Sequence, residues 1–433
     1  MRKRILLSVL GVIASLGVIA QTVNIAGGNG NRPNHPPAIT SIKKPRTPTS
    51  FGDPLPGLSS TEATRFTLGL AQFDSAEGIA DGLGPIFNAQ KCSVCHTQPL
   101  KVSGDPAIGG ASAVTETRFG ASFVNSTFNP LPNEGNTLLH QMAINIATQE
   151  VVPQDATIVA HRKTTPLFGA GLIDAIPDAA ILANAGVNKG DGIKGTVAIL
   201  TDDVTKLIGT NKVGRFGWKN QQSTVLAFAA DAYLNEMGIS NRFFPNDFAP
   251  DGDTARLNAA EPPGLSATVA QDAPMDPTKP EDPINNPDDT DRFTDFMTFL
   301  APPPTVALSG QAAAGQGIFR AINCTGCHTP SYTTGASTSP ALAFKNVALY
   351  SDLLLHDVGT GDGIGQAAAA PNQLRTAPLW GLRARAPFLH DGRAYTVEQA
   401  IEYHAGEALT VRNRYMALPQ SGKDAVIAFL NSI

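Results

Sequence analysis

Apolar residues recur with helical spacing in two similar short segments, residues 291–300 and 423–430, each near the end of one part of the chain. Helix-like patterns also occupy residues 76–88 and 311–321, with Phe87 and Phe319 each five positions before a cysteine. A unit with a helix at both ends, present twice, predicts a mainly α fold of two similar domains with long loops. Ala301-Pro302-Pro303-Pro304 lacks the amide donors to continue a helix and places the boundary near residue 305. Pro166-Leu167-Phe168-Gly169 and Pro378-Leu379-Trp380-Gly381 form a further internal echo. Residues 245–291 are acidic and rich in proline, and predict a surface excursion with little regular structure.

At the N-terminus, Arg2-Lys3-Arg4 precede an apolar run over residues 5–20 that ends in Val18-Ile19-Ala20, the layout of a secretory signal peptide over residues 1–20. The expected location is periplasmic or secreted, with no membrane span after cleavage; an uncleaved anchor is the alternative. Residues 21–60 are rich in Gly, Asn and Pro and predict a flexible segment. The two domains then cover residues 61–305, with the acidic insertion near 245–291, and residues 306–433. A chain of 433 residues, 42% hydrophobic, supports two cores of ordinary size. With 32 Lys+Arg against 37 Asp+Glu and no basic block, nothing points to nucleic acid.

Two runs hold all four cysteines: Cys92-Ser93-Val94-Cys95-His96 and Cys324-Thr325-Gly326-Cys327-His328. This is the C-x-x-C-H spacing of covalent c-type haem attachment. Two thiols three positions apart can each add to a vinyl group of one porphyrin, and the adjacent histidine ligates the iron. The expected cofactors are two covalently bound haem c groups, with His96 and His328 as proximal ligands. A four-cysteine zinc site is the competing reading, and a disulfide framework would be sparse for this length. Opposite the irons, the candidates are His140, His161, His356, His390 and His404, with Met142, Met237, Met275, Met297 and Met416; spacing alone does not choose among them. His356-Asp357 and His390-Asp391 lie in acidic turns, which suggests imidazoles hydrogen-bonded to the protein.

Phe388-Leu389-His390-Asp391-Gly392-Arg393, followed by Thr396-Val397-Glu398-Gln399-Ala400 and preceded by the approach over residues 375–381, resembles the C-terminal signature of bacterial dihaem cytochrome c peroxidases and of the related MauG. The branch it is most similar to is that of the dihaem oxidoreductases, also called thiol oxidoreductases. Residues 83–88, 214–219, 235–238, 350–357 and 404–408 extend the likeness over roughly residues 55 to 433. The resemblance implies that His404, fourteen positions after His390, stands where the peroxidases have a distal methionine and MauG a tyrosine. A His328/His404 pair would lower the potential of that haem. It further implies Glu236 as the acid/base over an open N-terminal iron, Gln222 as its polar partner, and Trp218 as a relay between the haems, with Trp380 the other candidate. A calcium ion between the domains would rest on the carbonyls of Arg385 and Pro387, although the family's side-chain Asn ligand has no counterpart here.

The resulting expectation is a secreted dihaem oxidoreductase of peroxidase type. Its C-terminal haem collects electrons from a small redox donor protein or electron carrier and passes them to an N-terminal haem that reduces hydrogen peroxide. MauG-like oxidation of a protein or organic substrate is one alternative, and a non-enzymatic dihaem electron carrier is another.

Overall fold

Ser59 starts the first helix, Ser60–Phe73, by a reciprocal cap: its hydroxyl accepts from the Glu62 amide, and the Glu62 carboxylate accepts from the Ser59 amide. In this computed structural model the described residues are 50–100, 106–122, 128–201, 209–262 and 264–433. The signal peptide, most of the flexible segment and His35 lie outside them. All described residues belong to one unit, 32–433.

Helix Ser60–Phe73 packs along helix Asp289–Phe299, which Asp288 and Asp291 cap in the same reciprocal way. In the second half, helix Gly310–Ala321 packs along helix Gln420–Leu430. Each pair closes over a glycine. A Cβ on Gly69 would fall 2.3 Å from the Arg292 carbonyl oxygen, and one on Gly315 would fall 1.8 Å from that of Ala425. Four residues later each helix carries a phenylalanine. Phe73 meets Phe296 at 4.8 Å and the His96 ring at 5.9 Å; Phe319 meets Phe429 at 5.4 Å and the His328 ring at 6.2 Å. The internal repeat is therefore Gly-x-x-x-Phe.

The helices expected over residues 291–300, 311–321 and 423–430 are present. The one expected over residues 76–88 is not. That stretch holds a 3-10 turn, Ile79–Asp81, and a short strand, Ile86–Phe87, paired with Met142–Ala143. Gly82 and Gly84 take φ of 98° and 94°, and Pro85 removes an amide donor, so a helix cannot run through. Phe73, not Phe87, is thus the counterpart of Phe319. Ordered packing also begins before residue 60: the Leu55 amide donates to Phe299 O and the Ala301 amide to Asp53 O.

The mainly helical reading missed a four-stranded antiparallel sheet. Thr115–Ser122 pairs with Ile158–Lys163, Leu138–Leu139 and Phe128–Asn129. Its alternation was obscured because Arg118, Arg162 and Lys163 are buried on these strands, where apolar residues would ordinarily mark the inner face. The acidic excursion carries a short helix, Thr254–Ala260, and a buried anchor. Asp272 accepts hydrogen bonds from the amides of Asp289 and Thr290 and from the Thr290 hydroxyl, at the start of helix Asp289–Phe299. The largest apolar core includes residues from Leu55 to Trp380, on both sides of the proline run; a second gathers Phe319, Tyr415, Val426 and Phe429. Among the described residues no helix is long and apolar enough to cross a membrane.

Candidate functional site

Helix Gly310–Ala321 leads into the 3-10 turn Cys324–Gly326, which folds His328 back so that its amide donates to Cys324 O at 3.0 Å. The turn opens onto a cavity whose walls include Cys324, Cys327, His328, His390 and His404. His328 Nδ1 lies 3.0 Å from Tyr350 O, and His404 Nδ1 lies 2.7 Å from Ala400 O. A carbonyl only accepts, so both Nδ1 atoms carry the proton and both rings keep Nε2 as the lone-pair nitrogen. Burial, then the proximity of His404, pulls His328 down to about 4, and burial lowers His404 as well. Both imidazoles are therefore neutral, the form that binds a metal.

Two other histidines of this region behave differently from each other. His356 uses both ring nitrogens, Nδ1 to Glu407 Oε2 at 2.9 Å and Nε2 to Asp352 Oδ2 at 3.0 Å. Burial opposes its charge, but Asp352, Cys327 and Glu407 raise it to about 12. It is a structural imidazolium, as its acidic turn suggests. His390 is not hydrogen-bonded as expected: buried Nδ1 has no partner, and Nε2 stands 3.9 Å from Asp391.

The first motif repeats this geometry. The 3-10 turn Cys92–Val94 brings the His96 amide to Cys92 O at 3.1 Å, and His96 Nδ1 lies 3.3 Å from Gly110 O. A second cavity is lined by Cys92, Cys95, His96, Glu116, Glu236 and Trp218, among others. Among the described residues, His96 is the only imidazole on its wall. Glu236 comes from helix Val225–Met237, capped by Thr224, and accepts from Asn88 Nδ2 at 3.0 Å. Glu116 comes from the central strand of the sheet and lines the same cavity wall as Glu236. Burial and then the charge of Glu116 raise Glu236 to about 7. Despite burial, Arg118 and Arg162 hold Glu116 below the usual carboxylate range. The pair therefore shares one proton near neutrality.

Glu116 is the site residue that sequence reasoning missed, and its signal was the strand pairing that sets it opposite Arg162. Gln222 does not line either cavity. Its neighbour Gln221 lines the N-terminal one, because the bend that pairs Phe216 with Gln222 turns the Gln222 side chain inward. Met237 lies beside the first cysteine of the motif, with Sδ 4.0 Å from Cys92 Sγ. His140 is buried against Glu150, and His161 is exposed beside Thr117; neither lines a cavity.

Trp218, Lys163 and Thr164 line both cavities. Trp218 Nε1 donates to Lys163 O at 2.7 Å, and its ring meets His390 edge to face at 6.3 Å. Trp380 lines neither cavity. The carbonyls of Arg385 and Pro387, where calcium was expected, accept from Lys163 Nζ at 2.6 and 2.7 Å.

The cavities fit haem. Each presents two thiols, an imidazole behind them, and a buried guanidinium nitrogen with no hydrogen-bond partner. Arg162 Nη2 and Arg412 Nε are buried without partners, one at each cavity. Burial lowers Arg385 to about 10, and burial together with the Arg385 charge does the same to Arg375; both line the C-terminal cavity. Haem propionates would supply acceptors for these nitrogens and counter-charge at Arg375 and Arg385. A single four-cysteine zinc site does not fit, because the two Cys pairs line separate cavities.

Comparison with known proteins agrees on the class. Residues 140–433 match the family described as "Di-haem oxidoreductase, putative peroxidase". The chain belongs to that family. Cys92–His96 precedes the matched region, and its equivalence to the second motif comes from the repeated geometry. No curated protein matches. Similar solved structures include hydrazine synthase from Kuenenia stuttgartiensis, 13% identical, covering 92% of this chain and 100% of that one with a TM-score of 0.39. A MauG-like protein associated with microbial copper homeostasis is 14% identical, covering 89% and 93%, with a TM-score of 0.34. The diheme peroxidase BthA from Burkholderia thailandensis is 14% identical, covering 62% and 81%, with a TM-score of 0.30.

Proposed function

We propose that Cys92 and Cys95 tether one c-type haem and Cys324 and Cys327 another, that His96 and His328 are the proximal ligands, and that His404 stands opposite His328. On this reading the protein is an exported, peroxidase-like oxidoreductase. A small redox protein or electron carrier donates at the C-terminal centre, and hydrogen peroxide is reduced at the N-terminal one. The observation that carries this reading is the unequal lining of the cavities. One offers paired neutral imidazoles, and the other offers a single imidazole with the Glu116–Glu236 pair.

Bound haem supplies the metal that binds peroxide and the electrons that reduce it. Two electrons and two protons convert hydrogen peroxide into two waters, so the chain must move protons within the cavity. The Glu236 carboxylate takes the proton from one peroxide oxygen and returns it to the other, which leaves as water. Asn88 orients that carboxylate from one side, and Glu116 keeps its proton affinity near neutrality from the other. Arg118 and Arg162 hold Glu116 ionised. Trp218 offers an aromatic path between the cavities, its indole held by Lys163 O.

The test is peroxide-dependent oxidation of a reduced cytochrome or artificial donor by fully haem-loaded protein. Glu236→Gln should lower the rate about 10²–10⁴-fold with haem content unchanged; no turnover in the wild type would overturn the proposal. Oxidation of a protein or organic substrate is a second reading, supported by the imidazole at position 404, since His in place of Met lowers the potential. A peroxide-dependent product formed without donor oxidation would favour it.

A further inference from the structure

Lys163 is the last residue of strand Ile158–Lys163, and four of its contacts reach the ground between the two cavities. Its amide donates to His390 O, its carbonyl accepts the Trp218 indole N–H, and its ammonium donates to Arg385 O and Pro387 O. The side chain is buried and lines both cavities. We infer that the Lys163 ammonium is the built-in cation of this junction, filling the carbonyl pair that the resemblance gives to calcium, so that the two centres are coupled without a divalent ion. The inference rests on the reading of both cavities as haem sites.

Three observations support it. The ammonium sits at 2.6 and 2.7 Å from the two carbonyl oxygens, the distances of charge-assisted hydrogen bonds. Calcium takes six to eight oxygen ligands, usually with carboxylates among them. Among the described residues, no group of three or more His, Cys, Asp or Glu could hold a metal ion. The charged neighbour that acts on Lys163 is the Arg385 guanidinium, which with burial pulls the lysine down to about 8. A divalent ion would therefore enter a place that already holds two cations and no counter-charge.

Lys163 is thus a positioning residue. It ties the Trp218 indole to the 385–390 segment and so fixes the edge-to-face contact between Trp218 and His390.

The experiment uses the haem-loaded full chain and calcium chloride as the probe. Calorimetric titration should give no binding at about millimolar calcium, and a chelator should shift neither haem's midpoint potential. Submillimolar binding, or a chelator-induced shift, by protein with both haems attached would overturn the inference. Lys163→Met should slow electron equilibration between the haems roughly tenfold or more, as expected when a donor–acceptor geometry loosens, and Lys163→Arg should restore part of that rate. A wild-type rate in Lys163→Met with both haems present would remove the positioning role. If Lys163→Met fails to fold, the calcium titration and Lys163→Arg still decide. A protein that attaches haem at only one motif would instead refute the two-haem reading itself.

Discussion

The carboxyl groups of Glu116 and Glu236 both stand at the wall of the N-terminal cavity and act on each other's charge, although they come from a strand and a helix 120 residues apart in sequence. Burial and the Glu116 charge raise Glu236 from 4.5 to about 7. Its proton-accepting form therefore grows as pH rises through about 7, and peroxide turnover should rise with it. Glu116→Gln removes the like charge, so the midpoint of that rise should move to lower pH. The same linkage makes Glu236 a source of stability that is complete below about 4.5 and lost as pH rises through about 7. A pH–rate profile of both proteins checks the assignment, and an unmoved midpoint would count against the pair.

His404→Ala should convert the C-terminal centre from a low-spin bis-imidazole spectrum to one with an open or exogenous sixth ligand. Both haems should stay attached, since Cys324, Cys327 and His328 are untouched. His404→Met should raise the midpoint potential of that haem. Optical and electron paramagnetic resonance spectra in both redox states are the measurement. An unchanged low-spin bis-imidazole signal in His404→Ala would remove His404 from the iron.

Trp218→Phe keeps most of the ring contact with His390 but loses the indole N–H that Lys163 O accepts. The folding cost should be modest, about 1 kcal/mol, the usual net value of one hydrogen bond. The expected functional effect is slower electron equilibration between the haems, read by pulse reduction, with unchanged spectra. Trp380→Phe should leave that rate alone, because Trp380 lines neither cavity.

The helix crossings make a stability prediction that needs no cofactor argument. Gly315→Ala places a methyl group against the Ala425 carbonyl and should cost roughly 1–3 kcal/mol, with Gly69→Ala acting similarly against Arg292. Gly317→Ala, on the same helix as Gly315 but facing open space, should stabilise by about 0.5–1 kcal/mol. Denaturant midpoints of the haem-loaded proteins measure the contrast.

Much of the chemistry was legible in the chain because it is local. A C-x-x-C-H run carries its tethers and ligand within five residues, and the terminal helices announce themselves by periodicity over ten or so. The turn that folds His96 or His328 back onto its cysteines needs no distant partner. His404 could be singled out only because the family resemblance gives a ligand position fourteen residues after His390, and the fold sets it in the same cavity as His328. What the chain alone did not reveal is what strand pairing and burial decide. The sheet that delivers Glu116, Arg162 and Lys163 reads as irregular, because buried charges interrupt the alternation by which strands are recognised. Gln221 rather than Gln222 faces the cavity because the bend that pairs Phe216 with Gln222 turns the Gln222 side chain inward. Phe73, not Phe87, answers Phe319, since glycines and a proline stop any helix over residues 76–88. The occupant of the Arg385 and Pro387 carbonyls was the least legible of all: an ammonium from residue 163 reaches carbonyls more than 220 residues away in sequence, a contact that only the tertiary fold brings about.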